Sequence, residues 1–302
     1  MRHNWWRWLL GIGLILVVFI PSLAWMQHRV THYKSNYKTP LNPTIMVPGS
    51  SASQNRFDAL ISELRKETKV GHSVLKVKVA TNGQVSYTGS IRRGDNQPFI
   101  VIAFENNQDG YTNINKQAQW LNIAFKDLVK TYHFNHFSAL GHSNGGLILS
   151  LFLEKYFSET KHVNIDRLMT IATPYNMESD STTTRTAILK ELIAGREQLP
   201  KKLTVYSVAG TENYSSDGTV PANSVNQGKY VFQNQVAHYT QITVTGDNTT
   251  HSDLPQNKQI VLLIRQYLLQ EELPAKERAN NRSGIVRRSI TGEAGGFFLN
   301  VR

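Results

Sequence analysis

The sequence predicts an α/β fold: a mostly parallel sheet flanked by helices on both faces. Three observations predict it. Short apolar runs alternate with helix-spaced segments along most of the chain. Two of those runs, Pro98 to Phe104 and Arg167 to Ala172, are almost continuously apolar, as expected of strands covered on both faces. Between a third run, Phe134 to Leu140, and a helix-spaced segment, Gly145 to Phe157, stands Gly141-His142-Ser143-Asn144-Gly145. That G-x-S-x-G turn between strand and helix is what a nucleophile elbow requires.

The elements follow in order. Pro43 to Val47 reads as a first buried strand, ending at Pro48-Gly49-Ser50-Ser51. Phe57, Leu60, Ile61 and Leu64 mark a helix, with Ser51 or Ser53 as its N-cap. Ser73 to Val79 and Gln84 to Thr88 alternate around Asn82-Gly83, a hairpin signal. After the strand Pro98 to Phe104, the spacing of Ile114, Ala118, Leu121, Phe125, Leu128 and Val129 predicts a helix over 113–132. The elbow strand and helix come next, then the strand from Arg167. Met177 to Pro200 is polar, with a helix near Ala187 to Arg196, and stands where a lid is expected. Leu203 to Ala209 and Tyr239 to Thr245 are two further strands, and Gln259 to Glu271 a closing helix. The domain so defined spans 43–271.

The flanking segments differ in composition. Met1 to Arg7 is basic, Trp8 to Ile20 is apolar, and Ser22-Leu23-Ala24 offers small residues at a signal-peptidase site. Trp5, Trp6, Trp8 and Trp25 equally suit the interfaces of an uncleaved anchor. Residues 1–26 are therefore expected to be a signal peptide or an N-terminal anchor, and 27–42 a polar spacer. Either version puts the domain outside the cytoplasm, secreted or held at the cell surface. Residues 272–302, with Arg278, Arg282, Arg287 and Arg288 among Gly, Asn and Ser, read as a mobile basic tail.

Composition excludes some chemistries. With no cysteine, there is no thiolate zinc site, no cysteine nucleophile and no disulfide. The histidines are scattered without H-E-x-x-H spacing, and Glu105, Asp109 and Asp166 lack calcium-loop spacing, so no metal site is expected and all three read as solvated charges. No phosphate-binding glycine loop is present, and no cofactor is expected. The formal net charge of +11 predicts attraction to anionic surfaces. Lipid headgroups or cell-wall polymers fit an exported chain, whereas no nucleic-acid motif accompanies the charge.

A serine hydroxyl needs a base to take its proton and a third group to fix that base's tautomer. Along such chains the acid and then the histidine follow the serine, each after a later strand. Asp217-Gly218 follows the strand from Leu203, and His251 follows the strand from Tyr239. Ser143, Asp217 and His251 are thus the expected triad. Asp217-Gly218 taken alone is an ordinary turn dipeptide. His238 precedes a strand, His133 and His136 precede the elbow, and His142 stands too close to Ser143 to serve as its base. Asp247 and Asp253 share the histidine's loop. For the oxyanion, one amide is expected from Asn144 and another from Gly49 or Ser50.

Gly141 to Gly146, Ser216-Asp217-Gly218-Thr219-Val220-Pro221 and His251-Ser252-Asp253-Leu254-Pro255-Gln256-Asn257 together resemble the exported α/β-hydrolases of Gram-positive cell surfaces. The resemblance covers about Pro43 to Gln270. It implies an α/β-hydrolase fold with an inserted hairpin and a small lid, a serine-hydrolase mechanism, and a supporting role for Asn257 near the histidine loop. Such hydrolases usually carry His-Gly after the first parallel strand; here the pair is Pro48-Gly49. A carboxylesterase is the activity these readings imply. A non-catalytic binding protein on the same scaffold is the alternative, motivated by the altered pair and the basic charge.

Overall fold

The computed structural model describes residues 18–23, 25, 39–67, 71–212, 215–271 and 285–289. Residues 18–23 are helical, and among the described residues no helix is long and apolar enough to cross a membrane. The rest of the expected leader, and of the spacer before residue 39, lies outside the described residues.

From Pro40 onward the chain forms one unit around a nine-stranded sheet. In chain order the elements are β1 (Thr44–Val47), α1 (Asp58–Glu67), β2 (Val74–Val79), β3 (Val85–Gly89), β4 (Phe99–Phe104), α2 (Tyr111–Tyr132), β5 (His136–His142) and α3 (Asn144–Lys155). Then come β6 (Asn164–Ile171), α4 (Ala187–Gly195), β7 (Thr204–Thr211), α5 (Ala222–Asn226), α6 (Lys229–Phe232), β8 (His238–Thr245), α7 (Lys258–Leu263) and β9 (Ile285–Ser289). The strand order is β3-β2-β4-β1-β5-β6-β7-β8-β9. Every neighbouring pair is parallel except β2–β3 and β8–β9 at the two edges.

The period-two alternation of each central strand divides the core in two. Ile45, Val47, Ile100, Ile102, Ala139, Leu168 and Val205 face α2, α3 and α4. Met46, Phe99, Val101, Leu140, Met169, Val208 and Ile242 face α1 and α7. A strand that is apolar at every position is therefore two half-cores back to back, which is why these runs read as continuous in sequence. Helix α3 is buried from Asn144 to Glu154 on all sides, so its sequence is apolar all round rather than amphipathic. On α2, Phe125 sits in an aromatic cluster with Phe134, Phe137, Phe152 and Phe157, at centroid distances of 4.9 to 6.0 Å.

Some expectations are refined. The hairpin expected as an insertion is the edge of the main sheet, since β2 pairs parallel with β4 along its whole length. The segment expected as a lid is anchored at both ends. Asn176 is buried, and its side chain bonds Ser181, Thr184 and Thr186 backbone groups. Helix α4 then buries Ile188, Leu189 and Leu192 in the same core as α2 and α3. The closing helix is shorter than predicted, because α7 passes at Ile264 into a π-helical turn ending at Leu268. Arg265 is buried there and pairs with Glu271 and Glu67, so a polar anchor interrupts the apolar spacing. Of the expected mobile basic tail, Ile285–Ser289 is instead strand β9, antiparallel to β8, and the rest lies outside the described residues. Five residues are too short a run to show a period, and β8 offers an open edge that any extended segment can pair with.

Candidate active site

All the predicted catalytic residues sit at the C-terminal ends of parallel strands, where α/β sheets open their crevice. Ser143 joins β5 to α3 with φ 56° and ψ −133°. A non-glycine residue held there is strained, and it persists because the surroundings over-determine it. Its amide donates to Ile171 O at 2.9 Å, and its carbonyl accepts from Gly146 at 3.0 Å.

The turn closes only because its glycines let backbones meet. A Cβ on Gly145 would stand 2.0 Å from Val47 O and 2.9 Å from Pro48 O. A Cβ on Gly49 would stand 2.6 Å from Ser143 Cβ and 3.1 Å from its hydroxyl. The loop after β1 thus presses directly on the serine, and Gly49 is the residue that allows it with proline in place of the usual histidine before it. Gly145→Ala is expected to cost several kcal/mol, at or beyond the roughly 1–3 kcal/mol of ordinary overpacking, because the clash is with backbone. Gly71→Ala, whose Cβ would meet only the end of the Arg92 side chain at 3.3 Å, serves as the control in parallel urea melts. Equal midpoints would refute the packing argument.

The acid follows β7. Asp217 is buried, and its Oδ1 accepts from the amides of Thr219 at 3.0 Å and Val220 at 2.7 Å. Its Oδ2 faces His251 Nδ1 at 2.7 Å. The turn that presents it uses Gly218 at φ 86°, so the dipeptide is a turn that also aims the Asp217 carboxylate at His251. His251 follows β8 and donates its own amide to Asp217 O at 2.8 Å. The loop carrying it is tied by Thr249, whose hydroxyl lies 3.0 Å from Thr211 O, and by Asn257. Asn257 donates to Asp247 O and Asn248 O at 2.9 and 3.1 Å, and its Oδ1 caps α7 by accepting from Gln259 at 2.8 Å. Acid and histidine are thus brought together twice, through side chain and through backbone.

The expected oxyanion donors also converge near the serine. Asn144 opens α3, where helix amides have no intrahelical acceptor. Its side-chain Nδ2 donates to Ser50 Oγ at 2.7 Å and to Asp109 Oδ1 at 2.6 Å. That amide group clamps the loop after β1 to the elbow. Asp109 was expected to be a solvated charge. It is exposed, as expected, and it also braces this clamp and accepts from Gly110 N at 2.6 Å. Nothing in sequence marks it, because the loop after β4 reaches the elbow only through the sheet order β4-β1-β5. Asp166, also read as solvated, pairs with His136 at 2.8 Å where β5 and β6 begin, at the opposite end of the sheet. His142, set aside as a base, is buried against His251. Among the described residues no group of three metal-ligating side chains comes together.

A family model described as an alpha/beta hydrolase of unknown function (DUF915) matches residues 31–271. A crystal structure of a provisionally named cell surface hydrolase from Lactobacillus plantarum WCFS1 is 68% identical, covers 82% of this chain and 99% of its own, and superposes with a TM-score of 0.76. The lin2722 gene product of Listeria innocua is 23% identical over 78% of this chain and 96% of its own, with a TM-score of 0.69, a likeness of fold. No curated protein matches the chain.

Proposed function

Because the chain belongs to this family of α/β hydrolases, we propose that it is a serine hydrolase of carboxylic esters, working outside the cytoplasm. The observation that carries the reading is the His251–Asp217 hydrogen bond beside a strained serine elbow. With Nδ1–H directed at the carboxylate, Nε2 is left with its lone pair as the basic nitrogen.

In the reaction, Ser143 Oγ attacks the ester carbonyl carbon as its proton passes to His251 Nε2. The carbonyl oxygen gains negative charge, which the amide of Asn144 and an amide of the Gly49–Ser50 loop stabilise at the positive end of α3. The tetrahedral intermediate collapses, and the leaving alkoxide takes the proton from His251 to depart as alcohol. Water then repeats the sequence on the acyl-enzyme, returning the acid product and free Ser143. Asp217 keeps its proton-free carboxylate throughout and steadies the imidazolium. No step calls for a cofactor.

The basic leader, the apolar run behind it and the description of the Lactobacillus relative support a place at the cell surface. The charge of +11 supports contact there with anionic wall polymer or lipid headgroups.

A fluorophosphonate probe on the full-length chain tests the reading. Wild type is expected to label, Ser143→Ala not at all, and His251→Ala at least about 100-fold more slowly. A folded wild type that stays unlabelled would reject esterase chemistry in favour of the binding scaffold.

A further inference from the structure

The residue before the nucleophile has no part in this mechanism, yet it is buried against the base. His142 ends β5 and is 3% exposed. Its ring centroid lies 4.7 Å from that of His251, the planes inclined at 38°. Its Nε2 lies 3.0 Å from the carbonyl oxygen of His251. A carbonyl only accepts, so Nε2 carries the proton and donates. Burial is the main cause that holds its pKa well below that of a free imidazole, and the nearby His251 and Arg56 act in the same direction. Both the hydrogen bond and the burial favour the ring as a neutral donor.

With this contact counted, His251 is fixed at three of its four polar atoms. Its N–H donates to Asp217 O, its Nδ1–H to Asp217 Oδ2, and its carbonyl accepts from His142. Only Nε2 remains to exchange a proton. Next along the loop, Arg56 donates to Ser252 O at 2.7 Å, so two side chains from different elements grip consecutive carbonyls. Asp217 by itself sets the tautomer but leaves the ring able to pivot about the Nδ1 bond. The inclined ring of His142, packed at 4.7 Å, stands in the way of that pivot.

We propose that His142 is a positioning residue: it holds the imidazole plane and backbone of His251 so that Nε2 points at the serine. The inference rests on the triad reading. A displacement of the base by about 1 Å costs on the order of 100-fold in rate, which sets the size of the effect.

The test uses His142→Ala, His142→Gln, which keeps a donor but loses the ring, and His142→Phe, which keeps a ring but loses the donor. With 4-nitrophenyl acetate as the probe ester, kcat is expected to fall about 10- to 100-fold in the alanine variant, with KM little changed. Each partial replacement is expected to recover part of that loss. A second readout needs no turnover: in a Ser143→Ala background, the downfield proton signal of His251 Nδ1–H is expected to shift or broaden when His142 is also replaced by alanine. An unchanged proton signal, wild-type kcat in all folded variants, or a loss confined to KM would overturn the proposal. If wild type neither labels nor turns over ester while the proton signal still responds, the triad reading fails and the positioning contact stands.

Discussion

Asp217→Asn is expected to lower kcat by about 10⁴-fold with little change in stability. The asparagine carbonyl can still accept from the amides of Thr219 and Val220, which now bond Oδ1. The amide nitrogen then faces His251 Nδ1 and offers a hydrogen where an acceptor stood. The imidazole must turn its lone pair toward Nδ1, so its proton moves to Nε2 and the base can no longer accept from Ser143. The geometry survives and the tautomer is wrong. Steady-state kinetics beside a thermal melt checks it; a kcat within tenfold of wild type would refute the role of Asp217.

The second large effect concerns stability. Glu154, on α3, is buried with neither carboxylate oxygen bonded to any group among the described residues. Burial, and then the neighbouring Glu191, raise its pKa from 4.5 to about 9, while Lys155 pulls the other way. The folded protein therefore holds a proton that the unfolded chain gives up. That contribution is complete below the unfolded pKa of 4.5, declines as pH rises, and is exhausted once pH passes the folded value. At pH 7 the loss is on the order of 3 kcal/mol. Glu154→Gln removes the titration, so its advantage over wild type should grow between pH 5 and 9 and level off beyond. Urea melts of both proteins across that range decide it, and parallel stability curves would refute the raised pKa of Glu154.

What was legible in the sequence is what local patterning determines. The central strands were readable because burial on both faces demands an unbroken apolar run, as in Phe99–Phe104. That Asp217 and His251 meet was readable because each follows its own strand, so chain order stands in for position. Helices α5 and α6 went unassigned because at five and four residues each is too short to display a period. The contacts of Asp109 with Asn144 and of His142 with His251 were not legible, because those partners lie 35 and 109 residues away in sequence. Only the order of strands in the sheet brings such pairs together. The hairpin was seen, though not its pairing with β4, because alternation reveals a strand and not which neighbour it pairs with.

Strand β9 closes the molecule in a way that bears on its solubility. β8 carries the histidine loop at one end, and without β9 its whole length would stand as an open row of amides and carbonyls, ready to template another chain. In that pairing Arg287 and Arg288 sit opposite Ile242 and Gln241 in the backbone register. By pairing with Thr240–Val244, β9 takes up the edge groups of β8 that another strand could otherwise meet.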